Sequence, residues 1–263
     1  MPDDLITPSD HGLYCEPGGF YIDPWRPVER AVITHAHADH ARPGSSRYLC
    51  ATTCAPLLAR RIGRDARIEP LDFGKPTTIH DVTVTLHPAG HLRGSAQVRV
   101  EHRGRVAVVT GDYKTTPAGH AADPTCQPYE PLTCDQFISE CTFGLPIYRW
   151  ADPAAVFADM LQWWRGNAER GRTSIVAAYA LGKAQRVIAG LHALGDDLPG
   201  ETLPGVIAAH GAVLPFVALY REQGVDLPEV LPINKETLPT TKGQGLVVAP
   251  PSALGTPWMR KLG

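Results

Sequence analysis

The run Thr34-His35-Ala36-His37-Ala38-Asp39-His40 decides how this chain reads. It follows Ala31-Val32-Ile33, an apolar triplet that reads as a buried strand, so the run sits where that strand ends. On an extended strand end His35 and His37 share one face by the two-residue period, and Asp39 and His40 follow where the backbone turns. Imidazole nitrogen and carboxylate oxygen are the donors that zinc-class cations take, and catalytic sites keep one position open for water. Three imidazoles and a carboxylate packed this tightly after a strand predict a metal centre rather than a decorated surface loop.

Working outward, Val82 to Leu86 alternates as a strand and runs into the loop His87-Pro88-Ala89-Gly90-His91. A hairpin follows, with arms Gln97 to His102 and Arg105 to Thr110 and Arg103-Gly104 as its turn. The second arm ends in Gly111-Asp112-Tyr113-Lys114. His91 and Asp112 therefore both lie just past strands at one edge of one sheet. A carboxylate placed there can bridge two metals, as in two-metal phosphoesterases.

His35-Ala36-His37-Ala38-Asp39-His40, then Gly90-His91, then Gly111-Asp112, resemble the ordered metal motifs of the metallo-β-lactamase superfamily. The resemblance implies that His35, His37 and His91 hold one metal, that Asp39 and His40 hold a second, and that Asp112 bridges them. Phe137-Ile138-Ser139-Glu140-Cys141-Thr142-Phe143-Gly144 is similar to the acidic motif that opens the extra domain of β-CASP nucleases, with Glu140 on its acid. A carboxylate at that point could orient a ligating histidine from outside the ligand set. The segment from Ala177 to Gln185 also resembles a recurring β-CASP strand-to-helix stretch. The wider likeness, including Gly18 to Trp25 and Gly144 to Trp150, is to bacterial ligase-associated DNA damage response exonucleases and runs along nearly the whole chain.

Site and resemblance together imply a cytoplasmic nuclease of DNA repair: an exonuclease holding two divalent metals of zinc class, zinc or manganese. A metal-held hydroxide would attack the phosphorus of a DNA phosphodiester, with Asp39, Asp112 and Glu140 as the catalytic carboxylates. The partner would be nucleic acid, single-stranded or end-containing DNA, with a functional link to DNA ligase and helicase. Lys114 is either a cation for the phosphate or an ordinary surface lysine. Two alternatives stand beside this: an RNA-processing β-CASP nuclease, and an inactive, truncated metal-binding fragment. The family places further histidines after its inserted domain, whereas after Asp112 this chain has only His120, His192 and His210, none in that context. The expectation is a chain cut short at its C-terminus, with an incomplete second metal site and exposed apolar sheet surface prone to association.

The fold expected is α/β: a metallo-β-lactamase αββα sandwich lacking its C-terminal part, with an inserted α/β β-CASP domain. Residues 1–148 would form the N-terminal part of the metal-binding domain. Residues 149–263 would form the β-CASP-like domain and the start of the return. Asp152-Pro153 reads as a helix start, with Val156, Phe157, Met160, Leu161 and Trp164 as a core-facing stripe. From Thr173 strands and helices alternate, which predicts a small parallel sheet. A net charge of -2 over 263 residues carries no global nucleic-acid footprint. Arg60, Arg61, Arg64 and Arg67 read as a solvated face before a phosphate track. Cys15, Cys50, Cys54, Cys126, Cys134 and Cys141 read as reduced and mostly buried, since scattered cysteines fit neither a disulfide framework nor a zinc ribbon. No stretch reaches membrane-span length, and the acidic start with Asp3 and Asp4 is unlike a signal peptide.

Overall fold

The computed structural model describes residues 4–197 and 203–262. It divides into two compact units. The first takes the chain up to Pro117 together with Cys126–Tyr148; the second takes Ala118–Thr125 and the chain from Arg149 onward.

The first unit holds two sheets. One has six strands in chain order: β1 (Thr7–Ser9), β2 (Gly12–Cys15), β3 (Phe20–Ile22), β4 (Arg30–Val32), β5 (Arg47–Ala51) and β6 (Ile68–Leu71). Its first two pairings are antiparallel and the rest parallel. Helix α1 (Ala55–Ile62), which buries Leu57 and Leu58, is the single α-helix among the described residues of this unit. The other sheet runs β11 (Gln136–Ile138), β10 (Arg105–Val109), β9 (Ala96–His102), β8 (Val82–Pro88), β7 (Pro76–Ile79). Val82, Val84 and Leu86 on β8 and Val98 and Val100 on β9 are fully buried, the two-residue period of a sheet with one core face. The hairpin turn falls where its residues predict: Arg103 and Gly104 both have positive φ, 49° and 79°, as the tight primed turns require.

Strand β11 pairs in parallel with β10 only and so forms an edge. The side chain of its first residue, Gln136, bonds the backbone of Ile6 twice, accepting from its N–H at 3.1 Å and donating to its carbonyl at 2.7 Å. Beyond β11, Phe143, Leu145, Ile147 and Tyr148 are exposed, with the Phe143 and Tyr148 rings edge to face.

The second unit is a four-stranded, wholly parallel sheet in the order β12 (Ser174–Ala177), β15 (Leu246–Ala249), β13 (Ile207–Ala209), β14 (Leu231–Pro232). All four residues of β15 are buried, as expected of a central parallel strand. Helices α2 (Pro153–Glu169), α3 (Lys183–Asp197), α4 (Leu214–Glu222) and α5 (Leu238–Thr241) accompany it. Asp152 caps α2, its side chain accepting from the Ala154 N–H at 3.0 Å, with Pro153 in the first turn. The apolar stripe on α2 is narrower than its period suggests. Leu161 and Trp164 are buried and the Trp164 indole donates to the Gln244 carbonyl, whereas Val156 in the helix's first turn is exposed. The two-residue β14 and four-residue α5 are too short for periodicity to reveal.

Candidate metal centre

His35 and His37 leave the end of β4. The Thr34 carbonyl accepts from the Ala96 N–H at 2.8 Å, which ties this strand end to the start of β9. His91 sits in a tight loop closed by Ser95, whose hydroxyl accepts from the N–H groups of His91 and Leu92. Asp112 follows β10. These four side chains converge: His35, His37, His91 and Asp112 each offer one donor atom, all within 4.8 Å of one another. His37 Nδ1 lies 3.1 Å from His35 Nε2 and 3.3 Å from His91 Nε2. Zinc–nitrogen bonds of about 2.0–2.1 Å in a tetrahedron put neighbouring donors roughly 3.3–3.4 Å apart, so this donor set fits a zinc-class cation.

Asp112 faces two ways. Its Oδ2 is 3.7 Å from His35 Nε2 and 3.6 Å from His91 Nε2, while its Oδ1 is 3.2 Å from His40 Nε2. Burial first, then the neighbouring imidazoles, holds the His35 ring well below its ordinary pKa. Burial and His37 pull His91 down to about 4. Both rings are therefore neutral near pH 7, the form that donates to a cation. His40 behaves oppositely. Burial lowers it, but hydrogen bonds to Asp112 and Asp23 outweigh that and lift it to about 10. Asp112 is held below the usual carboxylate range, chiefly by the His40 hydrogen bond.

Asp39 and His40 do not join the four converged donors. Both the His40 and Ala41 N–H groups bond the His37 carbonyl, and the resulting turn leaves the Asp39 side chain 76% exposed, 3.8 Å from His40 Nε2. Glu140 is at hand, but its hydrogen bonds run to backbone: Oε1 accepts from the Tyr113 N–H at 3.2 Å and Oε2 from the Thr142 N–H at 3.3 Å. It therefore braces the segment carrying Asp112, and its negative charge also acts on the His91 ring. Lys114 is half-buried, and its N–H donates to the Ala89 carbonyl next to the His91 loop. His192 lies within α3, and the His210 Nδ1 accepts from the Ala212 N–H in the second unit.

Two contributors went unseen in the sequence. Asp23, directly after β3, accepts from the Thr34 N–H at 2.7 Å through Oδ1; its Oδ2 lies 2.5 Å from the Thr34 hydroxyl and 2.7 Å from His40 Nδ1. Its φ is +44°, a left-handed conformation uncommon outside glycine, asparagine and aspartate. The second is Arg61, in the last turn of α1, which donates through Nε to the Ala36 carbonyl between His35 and His37. At least this member of the arginine cluster is anchored to the histidine loop. Asp23→Asn keeps a residue that tolerates the left-handed backbone but loses the acceptor facing His40. It is expected to weaken zinc binding roughly 10- to 100-fold, the usual cost of losing an orienting partner. Competition with a chromogenic chelator measures this, and parental affinity would show that His40 orientation is immaterial.

No family model matches the chain. Among known proteins it is similar to a probable DNA ligase of Opitutus terrae, 30% identical over 254 residues, 96% of this chain and 23% of that protein. It is similar also to ribonuclease TTHA0252 of Thermus thermophilus, 26% identical over 68% of this chain and 46% of the relative. A shorter match, 33% identical over 33% of this chain and 20% of the relative, is to the 5′ exonuclease Apollo of Gallus gallus. The chain thus spans less than half the length of each of these relatives. A solved structure of a protein of unknown function from Enterococcus faecalis superposes with a TM-score of 0.53 at 10% identity, over 84% of this chain and 58% of the other, a likeness of fold alone. With its histidine run, the His91 loop and the aspartate that follows β10 in order, the chain is similar to nucleases of the β-CASP metallo-β-lactamase type.

Proposed function

We propose that this chain carries the metal centre of a nuclease that hydrolyses phosphodiester bonds of DNA from strand ends in the course of repair. The observation that carries the reading is the convergence of three imidazole nitrogens and both faces of one carboxylate at the ends of strands. His35, His37, His91 and Asp112 Oδ2 would hold one cation of zinc class, zinc or manganese. Asp39, His40 and Asp112 Oδ1 would contribute to a second, weaker site. Such cations, when bound, supply an acidified water and neutralise charge on the phosphate. The chain's own residues do the positioning: Asp23 orients His40, Ser95 shapes the His91 loop, and Glu140 fixes the backbone beside Asp112. Lys114 would add a cation toward the phosphate.

DNA is favoured because the relative matched along nearly all of this chain is named a probable DNA ligase, which also points to a ligase as a functional partner. The RNA-processing reading rests on the ribonuclease relative. No helix among the described residues is long and apolar enough to cross a membrane; we place the protein in the cytoplasm. Matched DNA and RNA strands, labelled at either end and incubated with zinc or manganese, separate the readings. Stepwise shortening of DNA with slower loss of RNA is expected. Elemental analysis should find one tightly held metal per chain and a total below two, because Asp39 stands out in solvent. Two tight metals would mean that another side chain completes the second site. Cleavage of neither polymer with either metal would remove the nuclease reading.

A further inference from the structure

The second unit holds an exposed ring on a braced turn. After β12, the Ala178 N–H bonds the Ala249 carbonyl, and the chain turns through 179–182 into α3. Gln185, fully buried, holds that turn: its Oε1 accepts from the Gly182 N–H at 2.7 Å and its Nε2 donates to the Ala180 carbonyl at 3.0 Å. The Ala184 N–H bonds the Tyr179 carbonyl, and Leu181 is buried beneath. The turn is thus fastened from inside, yet the Tyr179 side chain is 57% exposed. Lys183 Nζ stands 4.9 Å from the centre of the Tyr179 ring. Both residues lie at the carboxyl end of a parallel strand, the edge at which open α/β sheets bind ligands.

We propose that Tyr179 and Lys183 form a subsite for single-stranded nucleic acid, taking one base and one phosphate; this rests on the nuclease reading above. An aromatic face stacks on any base, and an ammonium beside it pairs with the backbone, the combination by which single strands are held without sequence preference. Holding the ring on a rigid turn keeps its ordering cost out of the binding step. Lys183 covers one face of the ring, so the base takes the other, and the long lysine side chain swings to the adjoining phosphate.

The test uses the full chain, stripped of metal with EDTA so that the strand is not cut. A fluorescein-labelled thymidine strand is titrated by anisotropy across a series of KCl concentrations. Tyr179→Ala is expected to weaken binding by roughly tenfold, the scale of one lost stack, and Tyr179→Phe to restore it. Lys183→Gln is expected to lower the slope of log affinity against log salt by about 0.7, one released counterion on a single strand. Melting curves and zinc content equal to the parent's show that the variants are folded. Parental affinity in Tyr179→Ala, or a parental salt slope in Lys183→Gln, would overturn the subsite. A parent that binds and, with metal restored, cuts DNA while the variants match it removes the subsite alone. A parent that binds no strand removes both the subsite and the nuclease reading.

Discussion

Replacing Asp112 with asparagine is expected to abolish phosphodiester cleavage and to lower zinc content together. The carboxylate presents Oδ2 to His35 and His91 and Oδ1 to His40, so both of its oxygens are engaged. An amide supplies one oxygen and one N–H donor. On either flip, one of the two sides meets a donor where it needs an acceptor, and the negative charge that would balance a bound cation is gone. The loss should exceed the roughly 10- to 100-fold typical of an orienting residue. Glu140→Gln, which disturbs backbone hydrogen bonds and removes a negative charge that acts on His91, should fall within that smaller range. Cleavage rate and metal content measured on the same preparations check this. An Asp112→Asn protein with near-parental activity would refute the bridging role.

Gly90→Ala is expected to cost both stability and metal, although it adds a single methyl group. Gly90 has φ +74°, and a Cβ there would lie 2.3 Å from the Lys114 carbonyl oxygen and 2.9 Å from the Tyr129 nitrogen. Both obstacles are backbone, so no rotamer change relieves them. The left-handed conformation costs about 1–2 kcal/mol with a side chain, and overpacking typically adds about 1–3 kcal/mol. A total of at least about 2 kcal/mol corresponds to a fall in melting temperature of about 4–8 °C for a domain of this size. The Lys114 N–H to Ala89 carbonyl bond joins the same two segments, so relief by backbone movement separates His91 from Asp112. Zinc affinity should therefore fall as well. A melt and a zinc titration both equal to the parent's would show that the loop yields without cost.

What could be read from the chain was local, or was carried by strand ends. Arg103-Gly104 and Asp152-Pro153 reveal their turn and cap because the conformations are set by the residues themselves. His35 and His37 could be grouped because they follow one strand, and His91 and Asp112 because each stands just past a strand of one other sheet, where donors have few places to go. Asp23 escaped because its partners come from pairing across the sheet. The register Ile22 with Val32 brings residue 23 beside Thr34, and no spacing along the chain shows that. Arg61 escaped for the same reason, its acceptor lying 25 residues away. Asp39 shares the period of its neighbours in the sequence, but the bonds of His40 and Ala41 to the His37 carbonyl turn it outward.

The double hydrogen bond from Gln136 to Ile6 sets an order of events at the ribosome. Ile6 is almost wholly buried, and the side chain that pairs its backbone arrives 130 residues later. At about 5–20 residues per second of synthesis, the beginning of the chain waits roughly 7–26 s before this clasp can close. The histidine run and the Asp112 loop emerge within that interval, so the ligands are displayed before the unit that holds them is sealed. A nascent chain stalled short of Gln136 should leave its first strand open to proteases, and one stalled after the residue has cleared the exit tunnel should protect it.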